Sequence, residues 1–378
     1  MWKIPVANAD VSGKEEEYVV EAVRSSWISS AGKFVDRFEQ EFRDACQTNS
    51  AIACSNGTVA LHLALMGLKL EPGDEVIIPS LTYIATANAV RYCGAEPVFV
   101  DVDPNTWCVD PAAVEDAITS RTKGIIAVHL MGHPCDMDAL NRIAAMNGLW
   151  VVEDAAESHF AYYKGKPVGG LGTLGTFSFF GNKVLTCGEG GAVTVNDSQL
   201  EIYLRMLRGQ GMDPQRRYYF PITGYNYRLT NVACALLCAQ MERRDAIIGR
   251  RREIFDKYNE QLSAIPGVEL QPVAEWAKIS PWMVGCLINH DEFGATRDEV
   301  MQGLAEQGID SRPFFFPLHK LPPFREAAGQ QDHDLRHTND LANRGVMLPT
   351  FNSLTDSQIE QVAQGIASVQ SARRRRAA

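Results

Sequence analysis

Gly175-Thr-Phe-Ser-Phe-Phe180-Gly-Asn-Lys183-Val-Leu-Thr-Cys-Gly188-Glu-Gly-Gly191-Ala-Val-Thr-Val195 is the stretch that decides how this chain folds. Two short apolar runs, Gly175–Phe180 and Ala192–Val195, flank a glycine-rich turn, and Lys183 stands at its start. A lysine fixed there sits among mostly uncharged neighbours. Burial disfavours the ammonium and lowers an amine pKa from about 10.4, which makes the amine a nucleophile. Such a lysine suits Schiff-base formation with a carbonyl, most often that of pyridoxal phosphate (PLP). The plain alternative is a surface lysine in a loop, and the rest of the chain decides between them.

Working outward, short β-branched runs alternate with helical stretches. Ala51–Cys54 precedes a helix from about Thr58 to Leu70, and Glu75–Pro79 precedes one from Ile84 to Tyr92. Pro97–Asp101, Gly124–His129 and Trp150–Asp154 follow at helix-sized intervals. The runs are apolar throughout, as strands buried on both faces should be, so the expectation is an α/β fold with a mostly parallel sheet between helices. Near residue 230 the pattern changes. One long helix is predicted from Leu229 to about Leu262, followed by Ile265–Leu270, Trp282–Ile288 and a helix from Arg297 to Gly308. These predict a large domain over residues 1–250 and a smaller C-terminal α+β domain over 251–378.

The totals bound the function. With 378 residues, of which 46% are hydrophobic and 22% charged, the chain has the composition of a globular protein of two domains. A net charge of −10 argues against nucleic acid as a main partner, and Arg373–Arg376 reads as a solvated basic tail. No apolar run approaches the roughly 18 residues of a membrane span. The first ten residues lack the apolar core of a signal peptide. The 9 cysteines are scattered without a C-x-x-C pair and read as free thiols, so a cytoplasmic protein is expected.

In parallel α/β sheets, ligands gather beyond the carboxyl ends of the strands. Ser55-Asn56-Gly57-Thr58 joins a strand to an apolar helix, either to grip a phosphate with N–H groups and the Thr58 hydroxyl or simply to cap that helix. Tyr83 follows the next strand, as a ring for a cofactor to stack on or as a core aromatic. Asp154 ends Trp150–Asp154; it could keep a pyridine nitrogen protonated or cap Ala155-Ala156, with Glu157 completing that turn. The order phosphate turn, aromatic, strand-end aspartate, lysine is what carries weight.

Two motifs are set aside. Gly170-Leu-Gly172-Thr-Leu-Gly175 matches the dinucleotide fingerprint, but it is followed by a strand-like run and sits in mid-chain. His129, His133 and Cys135 lie close together without paired-ligand spacing, so no metal site is expected, and His62 reads as a core residue of its helix.

Asn56-Gly57-Thr58, Pro79-Ser-Leu-Thr-Tyr83, Glu153-Asp154-Ala-Ala-Glu157, Ser178-Phe-Phe-Gly-Asn-Lys183 and Gly188-Glu-Gly-Gly191, in that order, resemble the nucleotide-sugar aminotransferases of the DegT/DnrJ/EryC1/StrS family. The resemblance runs from Trp27-Ile-Ser-Ser30 to Arg312–His319 and implies PLP-dependent transferase fold type I, like aspartate aminotransferase. It implies that Lys183 forms the Schiff base, Asp154 pairs with the pyridinium nitrogen, Glu157 lies near the ring hydroxyl and Tyr83 stacks on the ring. Gly57, Thr58 and Ser178 would hold the phosphate, with Asn226 reaching it from the other subunit of a homodimer with shared active sites.

The implied reaction is a two-stage transamination with L-glutamate as amino donor, in which one lysine serves as both acid and base. Ser80–Asn88, Cys135–Asp138 and Arg208–Arg228 look most like members of the family that act on GDP-4-keto-6-deoxy-D-mannose, and this likeness implies amination to GDP-perosamine for O-antigen lipopolysaccharide or for antibiotic sugars. Arg216 and Arg217 are candidates for the diphosphate, or else solvated loop residues. Ser158-His159-Phe160 and Phe314-Phe315-Phe316 depart from the GDP-sugar pattern, and both are expected to border the sugar. The alternatives are amination of a UDP- or dTDP-keto sugar at C3 or C4, and a PLP-binding regulator without turnover. Sugar dehydration at C3 goes with a histidine in place of the lysine, which Lys183 opposes.

Overall fold

The computed structural model describes residues 2–325 and 335–377. The apolar runs become strands with every residue buried: β1 (Ser50–Cys54) and β2 (Glu75–Pro79). β3 (Glu96–Val100), β4 (Thr122–Val128) and β5 (Trp150–Asp154) follow. Two strands of two residues, β6 (Tyr162–Tyr163) and β7 (Lys166–Pro167), make a hairpin before β8 (Leu174–Ser178) and β9 (Gly191–Val195). Among the described residues, β1-β9-β8-β5-β4-β2-β3 form a seven-stranded sheet. Only β9 runs against its neighbours β1 and β8; the remaining pairs are parallel. The parallel strands therefore share one carboxyl edge, which collects the segments after β1, β2, β5 and β8.

Helices cover this sheet. α1 (Glu15–Arg24) and α2 (Lys33–Cys46) precede β1, and α3 (Gly57–Gly67) follows it. α3 ends before the predicted Leu70, because Leu68 to Lys69 turns out of the helix, with Lys69 at φ 56°. α4 (Ala85–Tyr92) follows β2, α5 (Pro111–Asp116) and α6 (Met137–Asn147) flank β4, and α7 (Ser198–Arg208) follows β9.

The single helix predicted from Leu229 to Leu262 is two, α8 (Asn231–Glu242) and α9 (Arg244–Leu262). They meet at Arg243 (φ −109°, ψ 3°), whose guanidinium is tied 2.8 Å from Asp10 and 3.7 Å from Glu15. The break is made by a tertiary ion pair, not by proline or glycine, so no local signal marks it.

A second sheet, β10 (Val268–Leu270), β12 (Val284–Ile288), β14 (Gly345–Leu348) and β13 (Arg312–Pro313), is antiparallel. β11 (Ala277–Lys278) pairs instead with β6. The described residues form two buried clusters, and α9 joins them: Ile247 and Ile248 belong to the first, Ile254, Phe255, Tyr258 and Leu262 to the second. We propose that the division between 1–250 and 251–378 falls at this change of partner inside α9. The final helix, Asp356–Ala377, contains the Arg373–Arg376 cluster, whose side chains lie outside the described residues.

Candidate active site

Lys183 lies beyond the end of β8, with 12% of its side chain exposed. Its Nζ is 3.6 Å from Oε1 of Glu157 and 4.0 Å from the centroid of the Trp282 ring. The mostly uncharged surroundings expected from sequence thus need correction, since the fold brings two carboxylates to this amine. Burial holds the Lys183 pKa below its ordinary value, and the charges of Glu157 and Asp154 oppose that shift without cancelling it. An amine so placed changes charge at lower cost than one in water.

Asp154 ends β5 and is buried. Burial raises its pKa; the Thr86 hydroxyl, which donates a 2.8 Å hydrogen bond to Oδ2, and the Ala156 N–H pull it back. Thr86 sits in the first turn of α4, so the helix after β2 supports the aspartate after β5. Glu157 is likewise raised by burial and lowered by Lys183, and its Oε2 accepts the Met131 N–H at 3.0 Å.

Gly57 opens α3, capped by Asn56 through a 2.9 Å bond from the Val59 N–H. A helix N-terminus presents N–H groups without intrahelical partners, which suit an anion. A Cβ on Gly57 would lie 2.5 Å from the Ser178 Cβ and 2.9 Å from its Oγ. The turn after β1 and the end of β8 therefore approach to a distance that only glycine permits, with the half-buried Thr58 next in line. Glycine, hydroxyls and N–H groups at a helix start fit a phosphate; the buried carboxylate and lysine fit a pyridine aldehyde.

Tyr83 is 59% exposed, and its ring centroid is 5.9 Å from that of Phe315. Phe315 in turn stacks on Trp282 at 6.3 Å and 13°. Tyr83 thus joins the lysine through a row of aromatic rings. Asn226 is exposed, on a segment tied to the end of β1 by the Ser55 N–H and the Tyr227 carbonyl at 2.9 Å. No contact within this chain brings Asn226 to Lys183 among the described residues.

The loop that matches the dinucleotide fingerprint is already filled by a side chain. The N–H groups of Gly169, Leu171 and Gly172 close at 2.7–2.8 Å on the fully buried carboxylate of Glu153, which also meets His129 Nε2 at 3.1 Å. The glycine loop does wrap an acidic group, but that group is the Glu153 side chain from β5. The three groups considered for a metal have other partners: His129 Nδ1 accepts from the Cys135 N–H at 3.0 Å, and His133 bonds the Pro134 carbonyl and Ala274 N–H. His62 is buried in α3 and meets the Tyr227 hydroxyl at 3.0 Å. Ser158, His159 and Phe160 are not a pocket rim: they lie inside the first core, with His159 against Phe177 and Phe179, its pKa lowered by burial to about 3. Phe316, by contrast, is exposed.

Trp282 and Thr86 are the residues that sequence reasoning missed, whereas Phe315 lies in the Phe314–Phe316 stretch expected beside the sugar and is found between Tyr83 and Trp282. Trp282 was read only as the start of a strand, and its approach to Lys183 comes from more than ninety intervening residues folding back. Thr86 alone left a signal, as a hydroxyl in the first turn of a helix at the carboxyl edge.

The sheet, the strand-end carboxylate and the turn-borne lysine define a PLP-dependent transferase of fold type I. The chain belongs to the DegT/DnrJ/EryC1/StrS aminotransferase family, whose profile matches residues 10–367, and it is a PLP-dependent sugar aminotransferase. It is similar to the GDP-perosamine synthase of Caulobacter vibrioides, with 46% identity over 97% of this chain and 98% of that one. It is 43% identical to the GDP-perosamine synthase of Escherichia coli O157:H7 over 97% and 98% of the two chains. Among solved structures, DesI in the presence of its TDP-sugar product superposes with a TM-score of 0.90 at 32% identity, covering 100% of this chain and 95% of that one.

Proposed function

We propose that the protein transfers the amino group of L-glutamate to C4 of GDP-4-keto-6-deoxy-D-mannose, giving GDP-perosamine. The observation that carries the nucleotide and the sugar is end-to-end likeness at 46% and 43% identity to two GDP-perosamine synthases. The geometry supports the reaction class, with a largely buried amine placed 3.6 Å from Glu157 at the carboxyl edge of the sheet.

PLP, when bound, supplies the electron sink for proton removal next to nitrogen. The chain's own groups divide the rest. The Lys183 amine would hold the cofactor in place and, when free, would take the proton from the glutamate α-carbon and in the second stage deliver one to sugar C4. Asp154 would hold the proton on the ring nitrogen, and Glu157 would face the ring hydroxyl. Tyr83 would stack on the ring. Gly57, Thr58 and Ser178 would hold the phosphate, with Asn226 reaching it from the second subunit.

The homodimer is supported by aromatic surface left open around this edge: Trp27 at 60%, Tyr218 at 73%, Phe220 at 51% and Phe180 at 47% exposed. Arg216 and Arg217 lie over Tyr219 and Tyr218 in the same loop, where a diphosphate could be met. No described helix is long and apolar enough to cross a membrane. The free thiols favour the cytoplasm, where surface-polysaccharide precursors would be made. A second reading keeps the chemistry and changes the substrate to a dTDP- or UDP-keto sugar; the likeness to DesI with its TDP-sugar product supports it.

The test is mass spectrometry of the product from GDP-4-keto-6-deoxy-D-mannose, L-glutamate and the purified enzyme. Replacement of the ketone oxygen by an amine is expected. An unchanged GDP sugar, with a dTDP- or UDP-keto sugar aminated instead, would refute the GDP assignment and keep the reaction.

A further inference from the structure

Trp282 belongs to the part of the chain that follows α9, yet its ring lies against Lys183. The indole is 5% exposed, and Nε1–H donates a 2.9 Å hydrogen bond to the carbonyl of Asn182, the residue before the lysine. Its own carbonyl accepts a 2.9 Å bond from Nη1 of Arg251 on α9. Arg251 is itself buried and bonds the Thr350 carbonyl at 2.6 Å and Asn352 Oδ1 at 2.8 Å. Phe315 stacks on the indole nearly parallel. The ring is therefore fixed at its N–H, at its backbone and by a stacked neighbour. A buried indole N–H needs an acceptor, and here the acceptor is the turn that carries the lysine.

We propose that Trp282 is a positioning residue: its indole face seats the free Lys183 amine beside Glu157 and Asp154, and its N–H pins the turn bearing that amine. This rests on the reading of Lys183 as the lysine that moves protons. An aromatic face attracts a cation through its quadrupole, more strongly when water is excluded. The seat thus favours the ammonium, together with Glu157 and Asp154, while burial opposes it. His159, within electrostatic reach of Lys183 and buried against Phe179, and Arg251, behind the Trp282 backbone, complete the titratable and charged groups around the pair. Because Arg251 lies on the helix that joins the two cores, the seat also couples the position of the C-terminal part to that of the lysine.

The test compares Trp282→Leu and Trp282→Phe with the parent. In the cofactor-free full-length protein, the rate at which a visible band forms on adding PLP is followed against pH, because only the unprotonated amine attacks. Loss of the aromatic face should move the midpoint of that profile down by about half to one pH unit in Trp282→Leu. Trp282→Phe keeps a face and should keep the midpoint. It lacks the N–H anchor, so kcat should fall by about 10-fold, the worth of one buried hydrogen bond, while KM for the nucleotide sugar holds.

An unchanged midpoint in Trp282→Leu, with only a lower melting temperature, would overturn the proposal and leave Trp282 a packing residue. Should Trp282→Leu not fold, Trp282→Met supplies the same comparison by the same criterion. A parent enzyme that forms the band but aminates no sugar would fail the proposed function and leave this inference standing.

Discussion

The Thr86 hydroxyl donates a 2.8 Å hydrogen bond to Oδ2 of Asp154, joining the first turn of α4 to the last residue of β5. Burial already raises the Asp154 pKa above 3.8, and this bond is the strongest influence holding it down. Thr86→Val removes the donor and should push that pKa up by about one unit, the equivalent of a hydrogen bond to a charged group. The acid limb of the kcat–pH profile should then move to higher pH by the same amount, because Asp154 must be ionised to hold a pyridinium proton. The stability sign follows. A carboxyl raised in the fold costs stability as pH climbs from the unfolded value through the folded one, so Thr86→Val should widen that loss. An acid limb unchanged from the parent would show that Asp154 does not govern it.

Gly57 and Ser178 make a second close approach, and it is steric. A methyl group on Gly57 would stand 2.5 Å from the Ser178 Cβ. Gly57→Ala should overpack the turn by about 1–3 kcal/mol and weaken PLP retention by roughly 10- to 100-fold. Absorbance titration with PLP reads this directly. Retention equal to the parent would move the phosphate away from this turn.

Glu153 is a prediction about stability. Its carboxylate takes N–H groups from Gly169, Leu171 and Gly172 and meets His129, with no exposure to water. Glu153→Ala leaves those donors without an acceptor and should cost about 3–5 kcal/mol, seen as a lower midpoint in urea unfolding. A loss below about 1 kcal/mol would mean the loop finds other partners.

Asn226 tests the shared site. Lys183→Ala and Asn226→Ala subunits should each be defective alone, the first losing turnover by at least about 10⁴-fold because both capture and proton transfer go. Mixed in equal amounts and reassociated, they should recover about a quarter of parental activity, since half the dimers carry one site with both native residues. Failure to recover, with mixed dimers verified by mass, would place Asn226 with the lysine of its own subunit.

Much of this was legible because it is local. The apolar runs of β1, β2, β4 and β5 announce strands buried on both faces. Residues at their carboxyl ends must share an edge once the strands are parallel, so Asp154, Ser178 and Lys183 could be grouped from sequence order alone. Gly57 was legible for the same reason, as a glycine between strand and helix.

What sequence order does not hold is contact between segments far apart in the chain. The kink at Arg243 depends on Asp10 and Glu15. The acidic side chain wrapped by the glycine loop is Glu153, one strand away, so the fingerprint could be doubted from its setting but not explained. Ser158–Phe160 were expected beside the sugar and are inside the core, because the chain after Asp154 turns inward before β6. The sequence by itself determined the strand pattern, the edge where strand-end residues gather and the lysine turn that joins them, since these follow from side-chain periodicity and strand direction. Only the tertiary structure decided which groups tune that amine. Burial, the Glu157 and Asp154 charges and the Trp282 face act through distances of a few ångströms, and those distances are set by packing between residues that no spacing along the chain brings together.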